Sequence, residues 1–421
     1  MELQVQENNE KKRINNYFLK HYVNFLNIVL LVILVNCNHE STPLFSSEQL
    51  IAIQLLRNLG FQGRFGHSSI KLLDGGVFIC GGSNGMGTIY KSCYSFTESD
   101  NEIKYAGDMN YERTSFAMHL LNSGKVLIAG GTTYNNLLVR SIEIYDPTNK
   151  TFTIGPKLNL GRVYFASTKL NNGNILFSGG IGVEGQITKS IEVFNPLTNS
   201  IVLDNVEMST GRFYHTATTL SSGNVLITGG TGGVSSQLSS TEIYDPNTGL
   251  LTMTGSLLRA RSRHTSTLLN NGSVLITSGK VIDEENKITS YEPYGEIYTP
   301  GTGMFTLTNT RINVPRRSHT SNILANGNVL ICGGYAFMEN KNTSKPTSSC
   351  EIFQNTDNIY VKNINLLIAR ANPISEVLNS GKIFVFGGIE SDGFFEGDIN
   401  TDNTGELIDL QTNQINKIFV K

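Results

Sequence analysis

The chain has 421 residues, 33 Lys and Arg against 35 Asp and Glu, a formal net charge of −2 and no tryptophan. With charges so balanced and no basic run in the body of the chain, nucleic-acid binding and purely electrostatic attachment to membranes are disfavoured. Length alone would allow about two or three domains, a prior that the internal repeat overrides.

Residues 1–36 stand apart as a leader. Lys11, Lys12, Arg13 and Lys20 make a basic region, and Phe25 to Val35 is an almost wholly apolar run of eleven residues. That is too short to cross a bilayer, which takes about twenty residues, but it suits the core of a secretory signal. Leu34-Val35-Asn36-Cys37 at its end resembles a bacterial lipoprotein signal, of the spirochaete-like form because Asn36 stands where a small residue is usual. The resemblance implies that Cys37 is diacylated and tethers the protein to a membrane of the bacterial cell envelope. An ordinary cleaved signal and an uncleaved anchor are the alternatives. Residues 37–60 read as a tether followed by a short amphipathic helix: Ser46 and Gln49 have capping-box spacing, and Ala52, Leu55, Leu56 and Leu59 share a face before Gly60. A strand on an outer edge is the other reading.

From residue 61 to 421 the chain repeats every 49 to 55 residues. Arg64, Arg113, Arg162, Arg212, Arg261, Arg316 and Arg370 are each followed seventeen residues later by a Gly-Gly pair, the fifth pair being Ser278-Gly279. In the fourth copy Arg212 to Leu220 suits a strand, Ser221-Ser222-Gly223 a turn, and Val225 to Gly230 a short apolar strand buried on both faces. Ser240 to Tyr244 and Leu250 to Thr254 complete a four-stranded meander. No copy can bury its own faces, so the copies must stack and close radially. The expectation is an all-β fold: a seven-bladed β-propeller of four-stranded antiparallel blades, preceded by the signal segment and a short helix.

Ile128-Ala129-Gly130-Gly131, then Glu143-Ile144-Tyr145-Asp146-Pro147 and Phe152, resemble the kelch repeat. The Arg-x-x-His-Thr entries at Arg212, Arg261 and Arg316 are of the bacterial, galactose-oxidase-like kind. Departures are the missing tryptophans, Tyr94 at the Glu slot of the first copy and Pro373 at the His slot of the last. Binding is the common role among proteins this sequence resembles. A sugar mutarotase or epimerase-like enzyme working in the propeller channel is the alternative that the resemblance implies, and a purely structural envelope protein comes third.

Cys80 and Cys332 precede Gly-Gly pairs, while Cys93 and Cys350 precede the Glu slot of the same copies, and no other copy has a cysteine at either position. Opposed on adjacent antiparallel strands, they fit Cys80–Cys93 and Cys332–Cys350 disulfides, with four buried thiols as the alternative. His67, His215, His264 and His319 share one slot of the repeat and so read as structural, as do the repeat arginines if they pair, in or between blades, with Glu143, Glu192, Glu242, Glu296, Glu351 and Glu406, which recur on the third strand. No catalytic constellation, nucleotide loop or cofactor site is evident, and copper-radical chemistry lacks its two loop histidines. Asp398, Asn400 and Asp402 have the alternating oxygens of a calcium loop without its glycine or closing Glu, so a solvated acidic loop competes with a metal site. The connections from second to third strand vary most and are longest in the last three copies, where Tyr335, Phe337, Met338, Phe394 and Phe395 offer binding anchors or else fold back over the ring. The expected partner is a protein or a glycan, bound by a monomer without a cofactor.

Overall fold

The computed structural model describes residues 64–420 except 86, 234–235, 283–288, 339–342, 391–399 and 402–403. The chain divides into two units, Met1–Gly60 and Phe61–Lys421. The signal segment, Cys37 and the helix expected before Gly60 lie outside the described residues.

The second unit is an all-β propeller. Copy one is typical: Ser68–Lys71, Val77–Cys80, Ser92–Thr97 and Glu102–Asp108 pair in that order as an antiparallel meander. The first strands touch one another in cyclic order around an axis, and Ser68–Lys71 also touches Ile374–Val377 of the last copy, which closes the ring. Copy seven supplies all four of its own strands, so closure needs none from elsewhere. The joint is held by Phe96 stacked on Phe384 with centroids 4.3 Å apart, and by a parallel bridge between Ile103 and Val420.

Six of the sheets are four-stranded blades, rather than the seven expected. The copy beginning at Arg316 builds a six-stranded sheet instead. Its third and fourth strands, Thr343–Gln354 and Ile359–Arg370, run twelve residues each. The front half of Thr343–Gln354 pairs with Tyr335–Met338, which in turn pairs with Arg316–Arg317. The polar run Thr343 to Thr347 keeps the strand going past the blade, because a pairing partner is available there for its backbone groups.

The second strand of every copy is buried along its whole length, as an apolar run without alternation requires. The core therefore lies between neighbouring sheets: one cluster joins Phe78 and Cys80 of copy one to Val126 and Ile128 of copy two. The turn from first to second strand is uniform, and its glycine has positive φ in each copy, from Gly75 (φ 89°) to Gly381 (φ 84°). In place of tryptophan, Phe152 opposes Tyr145 and Tyr360 opposes Phe353 across the third and fourth strands.

The sulfur atoms of Cys80 and Cys93, and of Cys332 and Cys350, are bonded, with Cα atoms 4.1 Å apart in both bridges. Each pair is directly opposed in the strand register. That is why the cysteines come as matched pairs and only in those two copies.

Candidate functional site

The seventeen-residue interval is the reach of a side chain. Arg113 Nη1 donates to the carbonyl of Gly130 at 3.1 Å, and Arg64, Arg162, Arg212, Arg261, Arg316 and Arg370 do the same to the first residue of their own doublets. The backbone carbonyl of each arginine then accepts from the second glycine of the preceding copy. Gly82 N bonds Arg113 O at 2.9 Å, and round the ring Gly388 N bonds Arg64 O at 2.9 Å. A Cβ on Gly179 would lie 2.4 Å from Arg212 O, so the doublet is glycine because backbone passes against backbone there. Ser278 substitutes by donating its Oγ to Glu292 O and accepting from Arg316 N.

Six of these arginines meet a carboxylate. Arg113 Nη2 is 2.5 Å from Glu143 Oε1, and Arg162–Glu192, Arg212–Glu242, Arg261–Glu296, Arg316–Glu351 and Arg370–Glu406 repeat the contact at 2.5–2.9 Å, all nearly or wholly buried. Each Glu also accepts hydrogen bonds from the segment entering its copy, Glu143 from the backbone N–H groups of Asn110 and Tyr111 and Glu242 from the N–H and the hydroxyl of Ser209. Burial lowers the pKa of Arg113, and Glu143 opposes that shift. In copy one Tyr94 fills the Glu slot, and Arg64 lies 4.6 and 4.8 Å from the ring centroids of Tyr90 and Tyr94. Two aromatic faces there stand in for the carboxylate.

The histidine slot packs against the neighbouring copy. His215 Nε2 is 2.9 Å from Ser178 Oγ, His264 Nε2 3.1 Å from Thr216 Oγ1, and His319 Nε2 2.9 Å from Thr265 Oγ1. Burial depresses all three, with the nearby repeat arginine adding to it, and His264 falls to about 3. His119, outside that slot, belongs to a belt of side-chain contacts between successive first strands. Its Nε2 meets Ser167 Oγ at 2.8 Å, as Thr267 meets Ser321 at 2.7 Å and Ser69 donates to Glu376 at 2.7 Å.

The two positions after each repeat arginine vary inside this regular entry. Two residues after each repeat arginine come Gly66, Ser115, Tyr164, Tyr214, Arg263, Ser318 and Asn372, all left-handed with φ between 52° and 65°. The turn directs their backbones to one another: Arg263 N bonds Tyr214 O at 3.0 Å and Ser318 N bonds Arg263 O at 3.0 Å. Holding a large side chain in that region costs about 1–3 kcal/mol, so glycine would be the easier choice if structure alone mattered.

All of these residues but Ser115 line a depression of 330 Å³ at the mouth of the ring, with His215, His264 and His319 also in its lining. Tyr164 and Tyr214 lie with ring centroids 4.4 Å apart, and the Arg263 guanidinium sits 3.6 Å from the Tyr214 ring centroid. Beside them Arg317 packs 4.3 Å from the Tyr335 ring centroid and donates from Nε to Tyr291 Oη at 2.7 Å. Lys280 is close enough that Arg263 and Arg317, after burial, lower its pKa. Among the described residues no carboxylate forms an ion pair with Arg263, Arg317 or Lys280.

Lys280, Tyr291 and Tyr335 come from the connections expected to vary, and Tyr164, Tyr214, Arg263 and Arg317 from the repeat entries. Lys280–Ile282 pairs with Thr289–Tyr291 as a hairpin between the second and third strands of copy five, and Tyr335–Met338 opens the equivalent hairpin of copy six. Phe337 meets Tyr291 edge-on at 5.7 Å. Of the other expected anchors, Met338 lies in its strand with its side chain outside the described set, as do Phe394 and Phe395 entirely. Asp398 and Asp402 are likewise outside it, and Asn400 is described only as backbone in Asn400–Thr401. Among the described residues no group of three His, Cys, Asp or Glu could hold a metal ion.

Arg263, Arg317, Lys280, Tyr164, Tyr214 and Tyr291 were not anticipated. For Arg317, Tyr164, Tyr214 and Arg263 the available signal was variation at the two positions after each repeat arginine; Lys280 and Tyr291 lie on the copy five connection, whose variability gave no residue-level pointer.

A family model of the Kelch motif matches residues 121–159. No curated protein matches the chain. Among solved structures, one titled "Structure of YjhT" covers 73% of this chain and 98% of its own, with a TM-score of 0.56 and 17% identity. At that identity the likeness is one of fold alone.

Proposed function

We propose that the chain is an exported, lipid-anchored kelch propeller that acts as a non-enzymatic binding module, holding a protein or glycan partner on the face built by its second-to-third strand connections. The observation that carries this reading is the contrast between two sets of arginines. The repeated ones are buried, six of the seven engaged with glutamates of their own copies and Arg64 with two tyrosines. Arg263 and Arg317 instead stand among tyrosines on the connection face with no described carboxylate. Aromatic and arginine side chains concentrated on rigidly held loops are what interfaces use. A mutarotase- or epimerase-like reaction in the channel would need the repeated Arg and Glu groups free, and the six glutamates are each engaged with a repeat arginine, which speaks for binding over that alternative. Two disulfides fit an oxidising compartment outside the cytoplasm, and Cys37 is the proposed lipid site.

In-cell crosslinking of the mature protein, followed by identification of what it captures, tests the module. Replacing the copy five and copy six hairpins with the short connection of copy two should abolish capture, and an unchanged set of captured partners would count against it. For the anchor, Cys37→Ala should move the protein from the membrane fraction to the soluble one. Retention of Cys37→Ala in the membrane would refute lipid attachment.

A further inference from the structure

We infer that the depression at the mouth of the ring is a binding site for a phosphomonoester carried on a sugar-like ring, the phosphate held by Arg263, which lines the depression, together with Arg317 and Lys280 beside it, and the ring laid against Tyr164. The inference rests on the reading that the connection face is the binding face, and it names the chemistry that one part of that face would recognise.

Charge is the first argument. Lys280 N bonds Ser262 O at 2.7 Å, beside Arg263; after burial, Arg317 lowers the pKa of Arg263, and Arg263 and Arg317 lower that of Lys280, while no described carboxylate forms an ion pair with any of the three. Like charges are brought together at a cost that a bound anion would remove. A single carboxylate would leave most of that excess in place, whereas a phosphomonoester brings about −1.5 to −2 at neutral pH.

Geometry is the second argument. The Arg263 guanidinium lies over the Tyr214 face, so its charge is held by a ring while its N–H edge stays clear of any described acceptor. That edge suits paired bonds to phosphate oxygens. Arg317 is held in a similar way, by Nε on Tyr291 Oη and by the Tyr335 face, and Tyr291 Oη is itself braced at 2.5 Å from Ser344 Oγ. Both cations are thus positioned before any ligand arrives. Tyr164 is 37% exposed, the outer of two neighbouring rings, and offers an open aromatic face to the apolar side of a ring.

Shape is the third. At 330 Å³ the depression is at the lower end of the range for small-molecule sites, about 300–1,000 Å³. A compact ring with one charged group fits it better than an extended peptide does. The left-handed slots that carry Tyr164, Tyr214 and Arg263 add strain that the fold does not need, since Gly66 fills the same slot in copy one.

The test is titration of the full chain, followed by calorimetry and by tyrosine fluorescence, which no tryptophan obscures. The probes are glucose 6-phosphate, glucose, glucuronate, inorganic phosphate and an oligoglutamate peptide. Glucose 6-phosphate should bind at least about tenfold tighter than glucose, glucuronate or phosphate alone. Arg263→Gln and Arg317→Gln should each weaken it by about tenfold or more, with unchanged circular dichroism. Tyr164→Gly, which sits easily in its left-handed slot, serves as a variant whose folding is not in doubt; it should weaken glucose 6-phosphate without altering the affinity for phosphate alone. The inference is overturned by glucuronate or oligoglutamate binding as tightly as glucose 6-phosphate, by affinity indifferent to the arginine variants, or by no saturable binding at about 10 mM. Partner capture in cells is read separately, so either result can fail while the other stands.

Discussion

Five histidines are packed into this ring as neutral bases, and acid should therefore unfold it. Burial lowers His67 and His264 to about 3 and His119 to about 4, and takes His215 and His319 well below their ordinary value. A histidine depressed in the folded state binds fewer protons there than in the unfolded chain, so its stabilising contribution is complete above about pH 6.5 and is lost as pH falls towards the folded values. At pH 5 the loss is about 1.5 pH units for each residue, or about 2 kcal/mol, and about 10 kcal/mol for five. That is comparable with the whole stability of a typical domain, about 5–15 kcal/mol. Glu376, raised by burial, works in the opposite direction and offsets part of the slope. The repeat supplies the control: Phe116 and Phe165 occupy the histidine slot in copies two and three. A triple variant His215→Phe, His264→Phe, His319→Phe keeps the shape of the slot and should remove about three-fifths of the acid loss. The assay is urea unfolding at pH 5, 6, 7 and 8, followed by circular dichroism. A wild-type stability flat from pH 7 to 5, or an identical slope in the triple variant, refutes the reasoning.

Glu143→Ala would strand Arg113 in a dry site and should cost about 3–5 kcal/mol in urea unfolding. The same change at exposed Glu184, which has no such partner to strand, should cost less than about 0.5 kcal/mol. Cys80→Ser/Cys93→Ser and Cys332→Ser/Cys350→Ser each open a loop with a separation of 13 or 18 residues, and each should cost about 3 kcal/mol by the chain-entropy account. Because the bridges lie in different copies, the two losses should add. Tyr164→Gly should change stability by less than about 1 kcal/mol, since relief of the left-handed strain offsets the flexibility gained by the unfolded chain. A larger loss in thermal unfolding would make Tyr164 a structural residue.

The frame was legible because it repeats for a physical reason. A guanidinium that must reach the carbonyl of its own doublet holds the interval at seventeen residues, and the cysteines are paired in sequence because they are opposed in register. The enlarged sheet of the copy beginning at Arg316 was less visible. Thr343 to Thr347 are polar residues that read as loop, and they extend as strand only because Tyr335–Met338 lies alongside. The mouth cluster was hidden for a different reason. Tyr214, Arg263 and Arg317 come from three successive copies, and their side chains meet only when the ring sets those copies side by side.

The account rests on one division: residues that repeat hold the ring together, and the side chains of the connection face hold the partner. The most direct measurement is in-cell crosslinking of the mature protein beside a variant whose 280–291 and 335–346 hairpins are replaced by the connection of copy two, with capture normalised to folded protein and Tm recorded for both. The account predicts that capture disappears while Tm is retained. Capture of the same partners by the variant, or loss of capture only in step with a fallen Tm, would contradict it.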